Sequence, residues 1–257
     1  MKRDLFSFFM DFNIQKGSHI FAFLLLIASF LFIFILPIVS FFVLLDSPQL
    51  LDSIEISEST AIQSQLLVIA IFILVPFAWY FIVNKLGIRG IFQRIKLVAE
   101  NIDKAFLWGI LAAIVIFFII FVMTSILISL GHEPETLSNI PDIQRIFSWP
   151  AMFFLVAVQP ISEEIFFRGF LFEKIENYAG GAIAIIITSV LFGLAHMSYG
   201  KIFPVIMPML MGIILGYIVF KTKNLYSAIF AHVAFNITSL TLAYFGQELI
   251  EQLALIL

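Results

Sequence analysis

Long apolar runs separated by short polar connections make up most of this chain. The runs fall at about 20–45, 62–83, 105–130, 147–176, 182–198, 203–220 and 225–245, and a helix needs about 20 apolar residues to cross a bilayer core. The pattern predicts an all-α fold: a polytopic membrane helical bundle of about seven (six to eight) transmembrane helices. The first run is longer than the roughly 7–15 apolar residues of a signal peptide, so it is expected to stay as a span. Residues 84–104 mix Ile and Phe with Lys and Arg and predict an amphipathic helix on the membrane surface, and the tail 246–257 is expected to do the same on the opposite side. Gly212 and Gly216 form a small-xxx-small pair suited to close helix approach. Pro37, Pro76, Pro204 and Pro208 are candidate kink sites in spans whose neighbours must satisfy the freed backbone groups.

Composition supports a membrane protein. Of 257 residues 62% are hydrophobic and only 12% charged, with a mean hydropathy of +1.10; soluble domains carry about 25% charged residues. A net charge of −3, with no basic run and no Gly-rich phosphate loop, gives no ground for a nucleic-acid partner and leaves membrane lipids as the surroundings. The absence of cysteine excludes disulfides, thiolate metal sites and a cysteine nucleophile. The 32 phenylalanines read as lipid-facing and core filling.

Charge in the connections sets an orientation. Asp46, Asp52, Glu55 and Glu58 follow the first run with no Lys or Arg among them, whereas Lys85, Arg89, Arg94, Lys96 and Lys104 follow the second. Glu133, Glu135 and Asp142 with only Arg145 follow the third, and Lys221 and Lys223 the sixth. The positive-inside rule then predicts a multi-pass plasma-membrane protein of bacterial type, with its N-terminus and the 84–104 and 221–224 loops in the cytoplasm and its C-terminus outside. Lys201, on the outer side, is the exception.

The deeply placed ionisable residues are confined to the C-terminal half. The first three runs hold no Asp, Glu, Lys or Arg between their ends, while Glu163, Glu164, Arg168, His196 and His232 lie within the later ones. Each such group costs roughly 2.5–3.5 kcal/mol at a bilayer centre, so its presence is a hypothesis of function. Glu164 and Arg168 stand at i and i+4 and can neutralise each other, which leaves Glu163 as a spare carboxylate. His196 follows Phe192 by one helical turn, and Asn236 follows His232 by one turn. The expected division is an N-terminal scaffold over 1–146, a functional core over 147–245 and a tail over 246–257.

The ordered set Glu163-Glu164-x-x-x-Arg168, Phe192-x-x-x-His196 and His232-x-x-x-Asn236 resembles the three motifs of the CPBP family, also called the Abi family, which includes CAAX prenyl endopeptidases and bacteriocin-processing or self-immunity proteins. The resemblance covers roughly 147–245. It implies an α-helical intramembrane protease acting on a membrane-associated, prenylated or otherwise lipidated peptide or protein. It also implies a catalytic role for Glu163 with His196, support from Glu164 and Arg168, and a stabilising role for His232 and Asn236.

Two mechanisms fit these residue types. In the preferred, metal-free one, Glu163 and His196 bind and deprotonate a water that attacks the peptide carbonyl, while His232 and Asn236 donate to the developing oxyanion, at about 2.7–4 kcal/mol per donor. In the other, His196, His232 and Glu163 hold a zinc ion with one open position, in line with the family's metalloprotease label. His-Glu-x-x-His is absent: His132-Glu133 is followed by Pro134-Glu135-Thr136. The alternative from another class is a non-proteolytic bacteriocin-immunity or partner-binding membrane protein. A transporter is disfavoured, because its polar residues would recur in both halves.

Regular alternation of spans raises a geometric difficulty. It puts His196 near the outer end of the fifth helix and His232 in the cytoplasmic half of the seventh, too far apart to share a site. Convergence therefore requires short, tilted or internally starting helices around Gly180-Gly181 and Thr222–Leu225, with a hydrated funnel reaching the site.

Overall fold

The computed structural model describes residues 12–47, 49–50, 56–133, 136–138, 140–197 and 201–254, with 247–254 described by backbone alone. Lys2, Arg3, Asp4, Asp11, Asp52, Glu55, Pro134, Glu135 and the last three residues of the tail lie outside them. Nine helices follow in order among the described residues: α1 Gly17–Asp46, α2 Glu58–Ile82, α3 Ile88–Arg94, α4 Ile102–Ser129, α5 Ile140–Gln144, α6 Trp149–Ala179, α7 Gly181–Leu194, α8 Phe203–Thr222 and α9 Tyr226–Ala254. Six of them, α1, α2, α4, α6, α8 and α9, are long and apolar enough to span a membrane. The chain is an integral membrane protein with an all-α helical bundle. Side chains at the bundle surface are accordingly apolar, with Phe42, Phe118 and Phe121 exposed and Phe166, Phe167 and Phe192 wholly buried.

The fifth run differs from expectation. It yields the 14-residue helix Gly181–Leu194, about 20 Å long at 1.5 Å per residue, so α7 stops well short of a full crossing. Its partner is α8, packed antiparallel along a seam of small residues. A Cβ at Gly193 would stand 2.8 Å from the Val205 carbonyl oxygen, and one at Gly212 would stand 3.0 Å from Ser189 Cα. Without those Cβ atoms the two backbones approach closely, which is how helices associate where lipid supplies no hydrophobic driving force. The pairing expected of Gly212 and Gly216 is thus made against α7.

Residues 84–104 do not form an amphipathic surface helix. Between Lys85 and Asn101 only Ile88–Arg94 is helical, and Lys85, Lys96 and Asn101 adopt positive φ, which breaks the segment into a folded loop. Ile91 and Ile95 are buried in the main core, and Ile95 packs against Gly169. The loop thereby covers the start of α9. Leu225, Ser227 and Ala228 are fully buried there, and their irregular backbone is satisfied locally: Leu225 N–H donates to the Lys96 carbonyl at 2.8 Å, and the Asn224 amide donates to the carbonyls of Val98 and Glu100 at 3.0 and 2.9 Å. Helix α9 begins inside protein, as a helix that must carry His232 to mid-depth requires. The tail continues α9 as far as Ala254.

Two π-turns lie beside the core, Leu31–Ile35 in α1 and Ile165–Leu171 in α6. They meet through Phe34 and Phe167, ring centroids 6.2 Å apart. Widened turns of this kind tend to sit at functional sites, and the second one begins next to the paired glutamates.

Candidate active site

Helix α6 brings Glu163 and Glu164 to one end of its first, regular stretch and Arg168 into the π-turn that follows. Arg168 and Glu164 are both 0% exposed, and Arg168 Nη1 donates to Glu164 Oε1 at 3.0 Å. The guanidinium also lies over the Phe192 ring at 4.3 Å, an arrangement a desolvated cation favours. Gly212 leaves room for it: a Cβ there would stand 3.0 Å from Arg168 Nη2.

His232 joins the two glutamates. Its Nδ1 is 2.9 Å from Glu164 Oε1, and its Nε2 is 3.7 Å from Glu163 Oε2. The Nδ1 partner is a carboxylate already held by arginine, so Nδ1 carries the hydrogen and donates. The imidazole is buried and fixed edge-on to Phe192, ring centroids 5.6 Å apart.

His196 follows the end of α7 and is oriented by its own helix. Its Nδ1 lies 2.7 Å from the Phe192 carbonyl oxygen, and a carbonyl only accepts, so Nδ1 is the donor and Nε2 is left for another partner. Phe192 touches both histidines, with ring centroids 4.8 Å from His196 and 5.6 Å from His232. The short α7 therefore ends where α9 has risen to His232, and the two imidazoles come to the same depth.

Glu163, His196, His232 and Asn236 line one cavity of about 700 Å³. No direct hydrogen bond joins Glu163 to His196 among the described residues; both line the same space. Glu164 and Arg168 do not line it and stand behind His232. The other two histidines lie elsewhere: Nδ1 of the buried His19 accepts from Asn13 N–H, and His132 packs on Phe203.

Six further polar residues line this cavity, Ser40, Gln65, Thr124, Ser138, Gln159 and Ser239, and none of them stands out in the sequence. The Gln159 amide donates to Glu163 Oε1 at 2.9 Å, and its i−4 position on the same helix was the available signal. Gln65 and Thr124 project from α2 and α4 into the same cavity. They were passed over because the first three runs hold no charge, and a neutral polar residue in an apolar run does not announce which way it faces.

Among the described residues no group of three His, Asp or Glu side chains is placed to hold a metal ion. His232 directs Nδ1 to Glu164 and Nε2 toward Glu163.

Residues 145–238 match the family model described as Type II CAAX prenyl endopeptidase Rce1-like. The chain is also 28% identical over 141 residues to the Bacillus subtilis protein named "Putative membrane peptidase YdiL", covering 53% of this chain and 56% of that protein. The chain thus matches little more than half the length of that curated relative. No solved structure matches it.

Proposed function

We propose that this chain, whose residues 145–238 match the model described as Type II CAAX prenyl endopeptidase Rce1-like, is an intramembrane endopeptidase working through a metal-free, Glu163- and His196-activated water. One observation carries the reading: the family's motif residues Glu163, His196, His232 and Asn236, drawn from three helices, share the walls of one cavity. Glu163 is pinned through Oε1 by Gln159 and His196 through Nδ1 by Phe192. Both therefore offer their remaining acceptor to the cavity, where a water held between them loses a proton as it attacks the peptide carbonyl. Restricting each acceptor to one orientation removes reorganisation from the step.

His232 and Asn236 answer the charge that develops. They stand one turn apart on α9 and face the cavity. When His232 carries a hydrogen on both nitrogens, the ring donates through Nδ1 to Glu164 and through Nε2 toward the cavity. The Nε2 hydrogen and the Asn236 amide then stabilise the oxyanion. The substrate in this reading is a peptide or protein held at the membrane, with apolar or lipidated groups against Phe32, Leu36, Val68 and Ile120.

The test is cleavage of membrane-associated peptides by purified protein. Glu163→Gln and His196→Ala are each expected to lower the rate by about 10²–10⁴ with insertion unchanged, the range of a positioned acid–base group. Chelator is expected to leave the rate unchanged; loss on chelation with rescue by zinc would overturn the metal-free assignment. If both variants keep the biological effect of the wild type, that effect is non-proteolytic.

A further inference from the structure

The cavity reaches toward one end of the bundle. Its walls run from Glu163 and His232 up to Leu137, Ser138, Ile140, Ile143 and Phe147, which belong to the chain between α4 and α6. None of its lining residues comes from 84–104, 173–180 or 221–227. Beyond the glutamates the opposite end is closed by the buried Phe166, Arg168 and Phe170, and further out by ion pairs. Arg94 meets Glu173 at 2.8 Å, and Glu176 meets both Lys96 and Lys223 at 2.8 Å.

The two ends differ in basic charge. The closed end carries Lys16, Lys85, Arg89, Arg94, Lys96, Lys104, Lys174, Lys221 and Lys223. The end toward which the cavity reaches has Arg145 and Lys201, the latter paired with Asp142, beside Asp46, Glu58 and Glu133. All these connections are short, the regime in which an excess of Lys and Arg sets orientation. The nine-to-two imbalance assigns the closed end to the cytoplasm.

We infer that the catalytic cavity opens to the extracytoplasmic side, so that the chain it cuts is presented from the outer face of the membrane. The inference takes from the peptidase reading what is cut, and from the charge distribution which face supplies it. Depth narrows the substrate further. Glu163 lies 14 residues along α6 from Trp149, about 20 Å at 1.5 Å per residue. An extended chain covers at most about 3.3–3.6 Å per residue, so the scissile bond must be followed or preceded by about six unfolded residues that thread in from outside. The substrate class is an extended segment of an exported peptide or of an outward-facing membrane protein, with apolar side chains for the cavity wall.

The chain has no cysteine, so single cysteines report topology in the full-length protein. Spheroplasts expressing Glu133→Cys or Arg89→Cys are treated with a membrane-impermeant maleimide before and after permeabilisation. Glu133→Cys is expected to label in intact spheroplasts at least tenfold more than Arg89→Cys, which should react only once the membrane is opened. Asp46→Cys and Lys221→Cys provide a second pair of the same design should either of the first fail to accumulate. A charged thiosulfonate tests the cavity itself at Ser239→Cys, whose side chain lines it, and should react from outside without permeabilisation. The reverse labelling pattern, equal labelling at both ends, or a Ser239→Cys that reacts only after permeabilisation would overturn the inference. Labelling requires no catalysis, so a protein that labels as expected but cleaves nothing counts against the peptidase reading and leaves the topology standing.

Discussion

His232 Nδ1 stands 2.9 Å from Glu164 Oε1, across 68 residues of sequence. The contact gives adjacent glutamates different tasks. Glu164, bound to Arg168 behind it, holds the imidazole and makes no cavity wall, whereas Glu163 faces the cavity. Glu163 is in turn held through Oε1 by Gln159, and His196 through Nδ1 by the Phe192 carbonyl.

Glu164→Ala leaves Arg168 buried without its carboxylate. Breaking a buried pair from one side costs about 3–5 kcal/mol, and thermal unfolding in detergent should show a loss of that order. The double variant Glu164→Ala/Arg168→Met should recover part of it, because no charge is then left uncompensated. A double variant no more stable than the single one would mean the ion pair is not the source of the loss.

Gln159→Leu frees Glu163 Oε1 and lets the carboxylate rotate. A hydrogen bond to a charged group is worth about 1.5–3 kcal/mol, so kcat should fall roughly ten- to a hundredfold. KM should stay within about twofold, since Gln159 acts through Glu163 and not on the bound chain. A variant that changes KM alone would place Gln159 in substrate binding instead.

Gly212→Val places a side chain where α7, α8 and Arg168 meet, with the first added carbon 3.0 Å from both Arg168 Nη2 and Ser189 Cα. Overpacking of this kind costs about 1–3 kcal/mol, which should appear as a lowered midpoint of thermal unfolding. Gly87→Ala is the control: nothing lies within 4 Å of its added carbon and its φ is −75°. It should leave the midpoint unchanged.

Gln65→Leu and Thr124→Val remove hydrogen-bonding groups that face the cavity from α2 and α4. If they hold the peptide backbone on its way to Glu163, each should raise KM several-fold, with kcat changed less than twofold. Steady-state kinetics on a single peptide decides it, and an unchanged KM in both variants would assign substrate binding to other walls.

The sequence by itself determined the helical bundle, because unbroken apolar runs of spanning length leave the backbone no partner in lipid other than its own helix. It also determined the Glu164–Arg168 pair and the one-turn spacings of Phe192 to His196 and His232 to Asn236, all of which depend on contacts within a single helix. Tertiary structure decided what lies between helices. Gly193 and Gly212 set how closely α7 meets α8, and the early end of α7 at Leu194 with the buried start of α9 brought His196 and His232 to one depth. Loop 84–104 became a plug over that start instead of a surface helix, and Gln65 and Thr124 turned the apolar first half into cavity wall. Local spacing fixes which residues share a helix face, but the depth and direction of that face come from packing against helices far away in sequence.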